Sequence, residues 1–268
     1  MVVKSRLKYY IKVYFWFIAQ DIKGRMQYRV DFFISTIGMV ITNLLGLLSI
    51  YVIFQSIPNI LGWSYYEILF IYGFSLLALS PLQLFFDNLW NLPSYLISGD
   101  FIKYYLKPLN IFFFYFAEVF DMKGLSQLVI GIITLSYAWV KLNLEFNLLK
   151  FIILIISLIS SSLVMISLMV MGSAVAFWVL NVTPLLNFIF RLREYTRYPT
   201  DIFDPFFRFI FSFVIPIAFV AFYPSQIFLR PKNSNILVFI SPFIGIFLFI
   251  IAYKLWIRGT RRYKGTGV

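Results

Sequence analysis

The chain has 268 residues, 61% of them hydrophobic and 13% charged, which leaves too little polar surface to cover a soluble core of this size. It contains neither Cys nor His, which removes disulfides, thiolate and imidazole metal ligands, Cys nucleophiles and His general bases. Lys and Arg give a net charge of +12 but gather at the chain ends and in particular loops, as cytoplasmic segments do beside anionic lipid, so no nucleic-acid partner is expected.

Residues 1–30 are expected to form an amphipathic helix on the membrane surface. Lys4, Lys8, Lys12 and Lys23 fall on one helical arc, and Leu7, Tyr10, Val13, Tyr14, Phe17 and Ile18 on the opposite one, with Arg6 breaking the pattern. The apolar stretch Val13–Ala19 is short and basic residues follow it, so no cleavable leader is expected. A first span is predicted from Phe32 to Ile57, closed by Pro58 and a loop with Trp63, Tyr65 and Tyr66 at interfacial depth. The second, Ile68–Trp90, is interrupted by Pro81. Residues 91–110 are too polar and too short to span.

The third span has its body at Leu125–Val140, after a start carrying Glu118, Asp121 and Lys123. Beyond a polar connection, the fourth, Phe151 to about Leu180, carries no charge. Its Ser157, Ser160, Ser161, Ser162, Gly172 and Ser173 offer close approach to another helix. The last span, Ile236–Ile257, ends in Arg258, Arg261, Arg262 and Lys264, a cytoplasmic anchor.

Between Asn181 and Leu229 the sequence admits two readings. Hydropathy alone makes Asn181–Arg208 a cytoplasmic loop and Phe209–Leu229 the fifth span. The other makes Thr183–Tyr198 the fifth span and 204–229 a re-entrant hairpin on the outer side. Pro216 and Pro224 favour the latter by breaking Phe207–Leu229 into pieces too short to cross. It also puts Arg191, Arg193, Glu194 and Arg197 in or near the membrane, where charges need partners or a wet cavity and mark a pathway. Both readings give an all-α protein of six spans with both termini cytoplasmic.

No phosphate-binding loop of the form G-x-x-x-x-G-K-[ST] is present, so any ATP chemistry belongs to another polypeptide. Asp201 and Asp204, beside Pro199 and Pro205, read as turn and cap residues. Asp87 is expected to anchor a loop through Lys103 or Lys107. No nucleophile, base and orienting group are visible together, so neither a catalytic nor a metal site is expected.

The segment LPSYLISGDFIKYYLKPLN, Leu92–Asn110, resembles the cytoplasmic loop of bacterial ABC type 2 transport permeases, in particular a six-span subfamily. The matching residues are Gly99, Asp100, Leu106, Lys107 and Pro108. Asp121 and Gly124 resemble an Asp-x-x-Gly element of the same family, and Ala176–Leu229 looks like its late part. One departure is Ile102, where family loops often carry a second acidic residue.

The resemblance implies one permease domain over 1–268 with the ABC type 2 exporter fold. Its elbow helix would be 1–30, its coupling loop 91–110 and its outer re-entrant hairpin 204–229, which favours Thr183–Tyr198 as the fifth span. Leu92–Ser98 would dock into a separate ATP-binding cassette ATPase, with Gly99 ending it and Tyr95 and Leu96 or Ile97 as anchors. ATP and Mg would be bound by that partner and not by this chain. A second copy or a related permease would complete a dimer in the inner (plasma) membrane, moving a lipid, drug or hydrophobic peptide outward. The competing class, an ion-coupled secondary transporter, calls for internal repeats and mid-membrane ionisable residues; no convincing repeat is seen.

Overall fold

A chain in lipid must satisfy its backbone hydrogen bonds within itself, and a helix does so locally. The computed structural model describes residues 2–179, 181–231 and 235–263, and among them all regular structure is helical apart from one isolated bridge, Ile60 to Trp63. The side chains of residues 2–7 are not included. The arcs assigned to Lys4, Arg6 and Leu7, the end of the fourth span at Leu180 and the anchor Lys264 thus lie outside the described residues.

Helix α1, Val2–Arg25, leads through a 3-10 turn into α2, Arg29–Ser56. Helix α3, Tyr65–Phe85, starts from a capping box: the Ser64 hydroxyl accepts from the Glu67 N–H, and the Glu67 carboxylate accepts from the Ser64 N–H at 2.9 Å. Short helices follow, α4 at Leu92–Ser98 and α5 at Ile111–Ala117. Then come α6, Lys123–Lys141, and α7, Leu148–Ala174, whose cap is Asn147. Helix α11, Ile236–Arg262, closes the described chain.

Among the described residues five helices are long and apolar enough to cross a membrane: Val30–Ser56, Tyr65–Phe85, Lys123–Lys141, Leu148–Phe177 and Ile236–Arg262. The stretch between the fourth and fifth of these is broken. It holds α8 (Thr183–Arg191), a 3-10 segment Leu192–Arg197, α9 (Pro205–Phe209), a π-helical turn Ile210–Val214, a 3-10 turn Ile217–Phe219 and α10 (Phe222–Leu229). Phe209–Leu229 is therefore not one helix. Pro216, which lacks an N–H, stands at the break.

Helix α11 lies along α7, and α3 lies along α6 while touching α7. The first pair is locked at mid-length, where a Cβ on Gly245 would overlap the Ser160 carbonyl oxygen. There the Ser160 hydroxyl donates to the Ser241 carbonyl at 2.9 Å and accepts from the Gly245 N–H at 3.1 Å. Other small residues of α7 act in the same way: Ser161 donates to the Phe219 carbonyl and Ser173 to that of Leu89, each at 3.2 Å. A Cβ on Gly73 would lie 2.7 Å from the Leu135 nitrogen, which sets the closeness of α3 and α6. Helix α2 touches α3 and α6 along one side, with only 11% of its apolar window buried.

Candidate functional site

Helix α4 has the bounds expected from the sequence, and it ends where only a residue tolerant of positive φ fits: Gly99 has φ 84° and ψ −4°. Leu92 and Pro93 are buried, so Leu92 fixes the helix to the protein and offers nothing to a partner. Tyr95 is half-buried, its ring 6.4 Å from Tyr104 and 6.3 Å from Tyr115, with the Lys103 ammonium 4.8 Å above it. Leu96 packs on the core, whereas Ile97 projects with 59% of its surface exposed. Asp100 accepts from the Ser98 hydroxyl at 2.6 Å. Further on, Ile102, Leu106 and Pro108 are exposed, and Lys107 lies 4.8 Å over the Phe114 ring.

This loop rests on a stiff bed. Phe101 is fully buried among Tyr104, Tyr115, Phe177 and Tyr263. Asn88 and Tyr115 exchange two side chain to carbonyl bonds, 2.7 and 2.6 Å. Glu118 takes the Lys103 ammonium at 2.8 Å and the Tyr104 hydroxyl. Burial, then that carboxylate, pushes the Tyr104 hydroxyl far up, so it stays a donor. Tyr105 donates to the Thr260 carbonyl, tying the loop to the end of α11, and burial pushes its hydroxyl up to about 12.

Asp87 does not meet Lys103 or Lys107, because those lysines are held by Glu118 and the Phe114 face. Instead Gln83 donates to Asp87 at 3.0 Å and to Asp121 at 3.1 Å. Asp121 is fully buried, with the Lys123 ammonium at 2.9 Å and Arg25 at 4.0 Å; Arg25 in turn holds Asp21 at 2.7 Å. The acidic residue of the Asp-x-x-Gly element is thus the hub joining α1 to the α3–α6 pair. Gly124 is needed there because a Cβ would sit 2.7 Å from Leu84. Burial first, and Asp121 second, push the Asp87 carboxyl up to about 6.

The second group of expected residues lies on the break after α8. Glu194 bridges two guanidinium groups, Arg197 at 2.7 Å and Arg193 at 3.3 Å. Arg193 lies 3.8 Å over the Phe190 ring and Arg197 5.3 Å over that of Tyr72. Arg191 is exposed and stands outside this triad. Thr196 shares a 2.6 Å hydrogen bond with Ser75, which is midway along α3. Phe190 is edge-on to Trp90, beyond the C-terminal end of α3. Arg230, just after α10, reaches Glu67 and the Gly62 carbonyl at the other end of α3. Asp204 caps α9 by accepting from Phe206 and Phe207, and Asp201 pairs with Arg208 at 3.5 Å, the turn and cap roles read from the sequence. Beside the break an apolar cavity of about 600 Å³ is lined by Phe188, Leu192, Tyr195, Phe203, Phe207 and Phe211, among others.

Asn43, Tyr72, Ser75 and Thr196 were not legible as partners of the triad; a lone Asn in an otherwise apolar span was the available signal. Among the described residues no three or more His, Cys, Asp or Glu are grouped to hold a metal ion. Residues 39–267 match the model of a family described as ABC-2 family transporter protein. No curated protein and no solved structure was found to match.

Proposed function

The chain belongs to the ABC-2 transporter family, and from that premise we propose that it is the permease subunit of an ATP-driven exporter in the inner membrane. ATP would be hydrolysed on a separate ATPase subunit, with Mg bound there. The observation that carries this reading is α4: a seven-residue helix stopped by a left-handed glycine and presenting Ile97 on a loop that also exposes Ile102 and Leu106. Large apolar side chains grouped on a polar loop are the mark of a surface that a partner covers. Ile97, Leu106 and the flanking Asp100, Lys107 and Pro108 are the proposed contacts, with Gly99 setting their geometry. Leu92, Tyr95 and Leu96 hold the helix from behind.

In this reading the chain is one permease domain that crosses six times, the fifth crossing being the broken Thr183–Tyr198 segment. The contacts of that segment support it. They pass from Trp90 at one end of α3 to Ser75 at its middle, and α10 ends beside Glu67 at the other end. The carbonyl of Phe219 meets Ser161 at mid-length of α7, so the turn before α10 lies deep, as the tip of a re-entrant hairpin over 204–229 does. Both termini are cytoplasmic, α1 lies as an elbow in the interface, and a second copy or a related permease completes the pathway. Arg193, Glu194 and Arg197 line that pathway, which carries a hydrophobic or amphipathic substrate outward.

The test is reconstitution in liposomes. The purified chain alone hydrolyses no ATP, and adding its ATPase partner gives ATP-dependent transport. Hydrolysis by the isolated chain, or transport independent of ATP, would overturn the assignment.

A further inference from the structure

Among the described residues several buried side-chain atoms have no hydrogen-bond partner, and two of these are nitrogen donors on residues that touch Tyr72. Arg197, 7% exposed, has its Nε buried without a hydrogen-bond partner, and Asn43 of α2, 1% exposed, has its Nδ2 in the same condition. Both belong to one locus around Tyr72. The Tyr72 hydroxyl donates to the Asn43 carbonyl at 2.8 Å, and the Arg197 guanidinium lies over the Tyr72 ring. A Cβ on Gly46, one turn beyond Asn43, would meet the Tyr72 hydroxyl and come within 3.3 Å of an Arg197 nitrogen. Glycine here lets the guanidinium reach α2. An unmade hydrogen bond at a buried amide or guanidinium is costly, and more so away from water. A buried donor left in this state calls for an explanation, and a bound anion would supply the missing acceptor.

The charges point the same way. Two guanidinium groups share one carboxylate, so the triad of Arg193, Glu194 and Arg197 carries a net positive charge. Its only acid is its most exposed member, with half of the Glu194 side chain accessible. Leu192 and Tyr195, on the same 3-10 segment as the triad, line the aromatic cavity of about 600 Å³, which is large enough for an alkyl chain.

We propose that this locus is an anion subsite in which the phosphate or carboxylate group of an amphiphile replaces Glu194 as the partner of Arg197, with Asn43 as a second donor and the neighbouring aromatic cavity holding the alkyl chain. No covalent step is involved; Glu194 swings out as the anion enters. This deepens the proposed function and rests on its placing of 183–197 within the membrane. The exchange gives a transported anion a way to change the fold, since the carboxylate that it displaces also holds Arg193. A ligand shifts a conformational equilibrium only through such differential contacts.

The experiment measures binding to the full chain purified in a maltoside detergent, with dodecyl phosphate, inorganic phosphate and dodecyltrimethylammonium as probes and thermal shift as readout. Dodecyl phosphate is expected to bind, and the cationic amphiphile is not. Glu194→Gln, whose amide keeps an oxygen for Arg197 and whose folding is checked by its unliganded melting temperature, should tighten dodecyl phosphate binding roughly tenfold, because the resident anionic competitor is gone. Asn43→Leu and Arg197→Gln should weaken it by a similar factor. Binding of inorganic phosphate with equal affinity would reassign the site to a free anion and overturn the amphiphile. Unchanged or weaker binding in Glu194→Gln, or equal binding of the cation, would overturn the subsite itself. Cysteine labelling of Asp201→Cys in intact cells separates the two readings. Outside labelling with no effect of Glu194→Gln removes only the subsite, and inside-only labelling removes the membrane placement beneath it.

Discussion

Replacing Asp87 with Asn is expected to stabilise the protein at pH 8 and to leave it unchanged near pH 4. The carboxyl is pushed from its ordinary 3.8 up to about 6, first by burial and second by Asp121. A folded-state pKa raised in this way means that the fold prefers the neutral acid. The contribution is fully present below pH 3.8 and is lost as pH rises through about 6. At about 1.4 kcal/mol per unit, ionisation of Asp87 costs on the order of 3 kcal/mol at neutral pH and above. Asparagine keeps an oxygen for the Gln83 amide and carries no charge to repel Asp121. The assay is thermal unfolding of both forms in detergent at half-unit steps of pH. The gap should open across this window and reach on the order of 5–10 °C. A gap that does not vary with pH, or a variant less stable at pH 8, would refute the reasoning.

Gly245→Ala should separate α7 from α11 and cost about 1–3 kcal/mol in unfolding experiments, whereas Gly38→Ala, with open space around it, should cost nothing. Ile97→Asp is expected to weaken association with the ATPase partner by about 2 kcal/mol in a titrated pull-down, with no change in melting temperature. Tyr95→Ala should instead lower the melting temperature, because its ring packs on Tyr104 and Tyr115. A maleimide that cannot cross membranes should label Asp201→Cys from outside intact cells; native Cys is absent, and buried Thr200 is the poorer position.

The long helices were legible because their signal is one-dimensional: an uninterrupted apolar run has few alternatives. The bounds of α4 came from the resemblance, and the structure supplies a local reason for them: Pro93 suits a first turn and Gly99 a left-handed stop. Two things were not legible. By hydropathy the segment 181–229 divides into a polar loop and one apolar stretch, and only its prolines hint that it breaks into α, π and 3-10 pieces. The partner of Asp87 was misread because closeness in sequence to Lys103 is no guide once α5 brings Glu118 to that lysine. The inward face of Leu92 was hidden for the same reason, as a seven-residue helix shows no clear periodicity.

The bed beneath the loop 91–110 is fastened to both members of the locked pair, through Ser173 to the Leu89 carbonyl and through Tyr105 to that of Thr260. With Gly245 seated on Ser160, α7 and α11 cannot slide past one another, and Ser161 carries the Phe219 turn with them. A push of an ångström at Ile97 is thus not absorbed in the loop. Under the proposed function it would be passed along α7 and α11, each about 40 Å long, toward the turn before α10. Helix α2 meets this unit through α3 and α6, and its seam with α3 is closed by the Tyr72 hydroxyl on the Asn43 carbonyl.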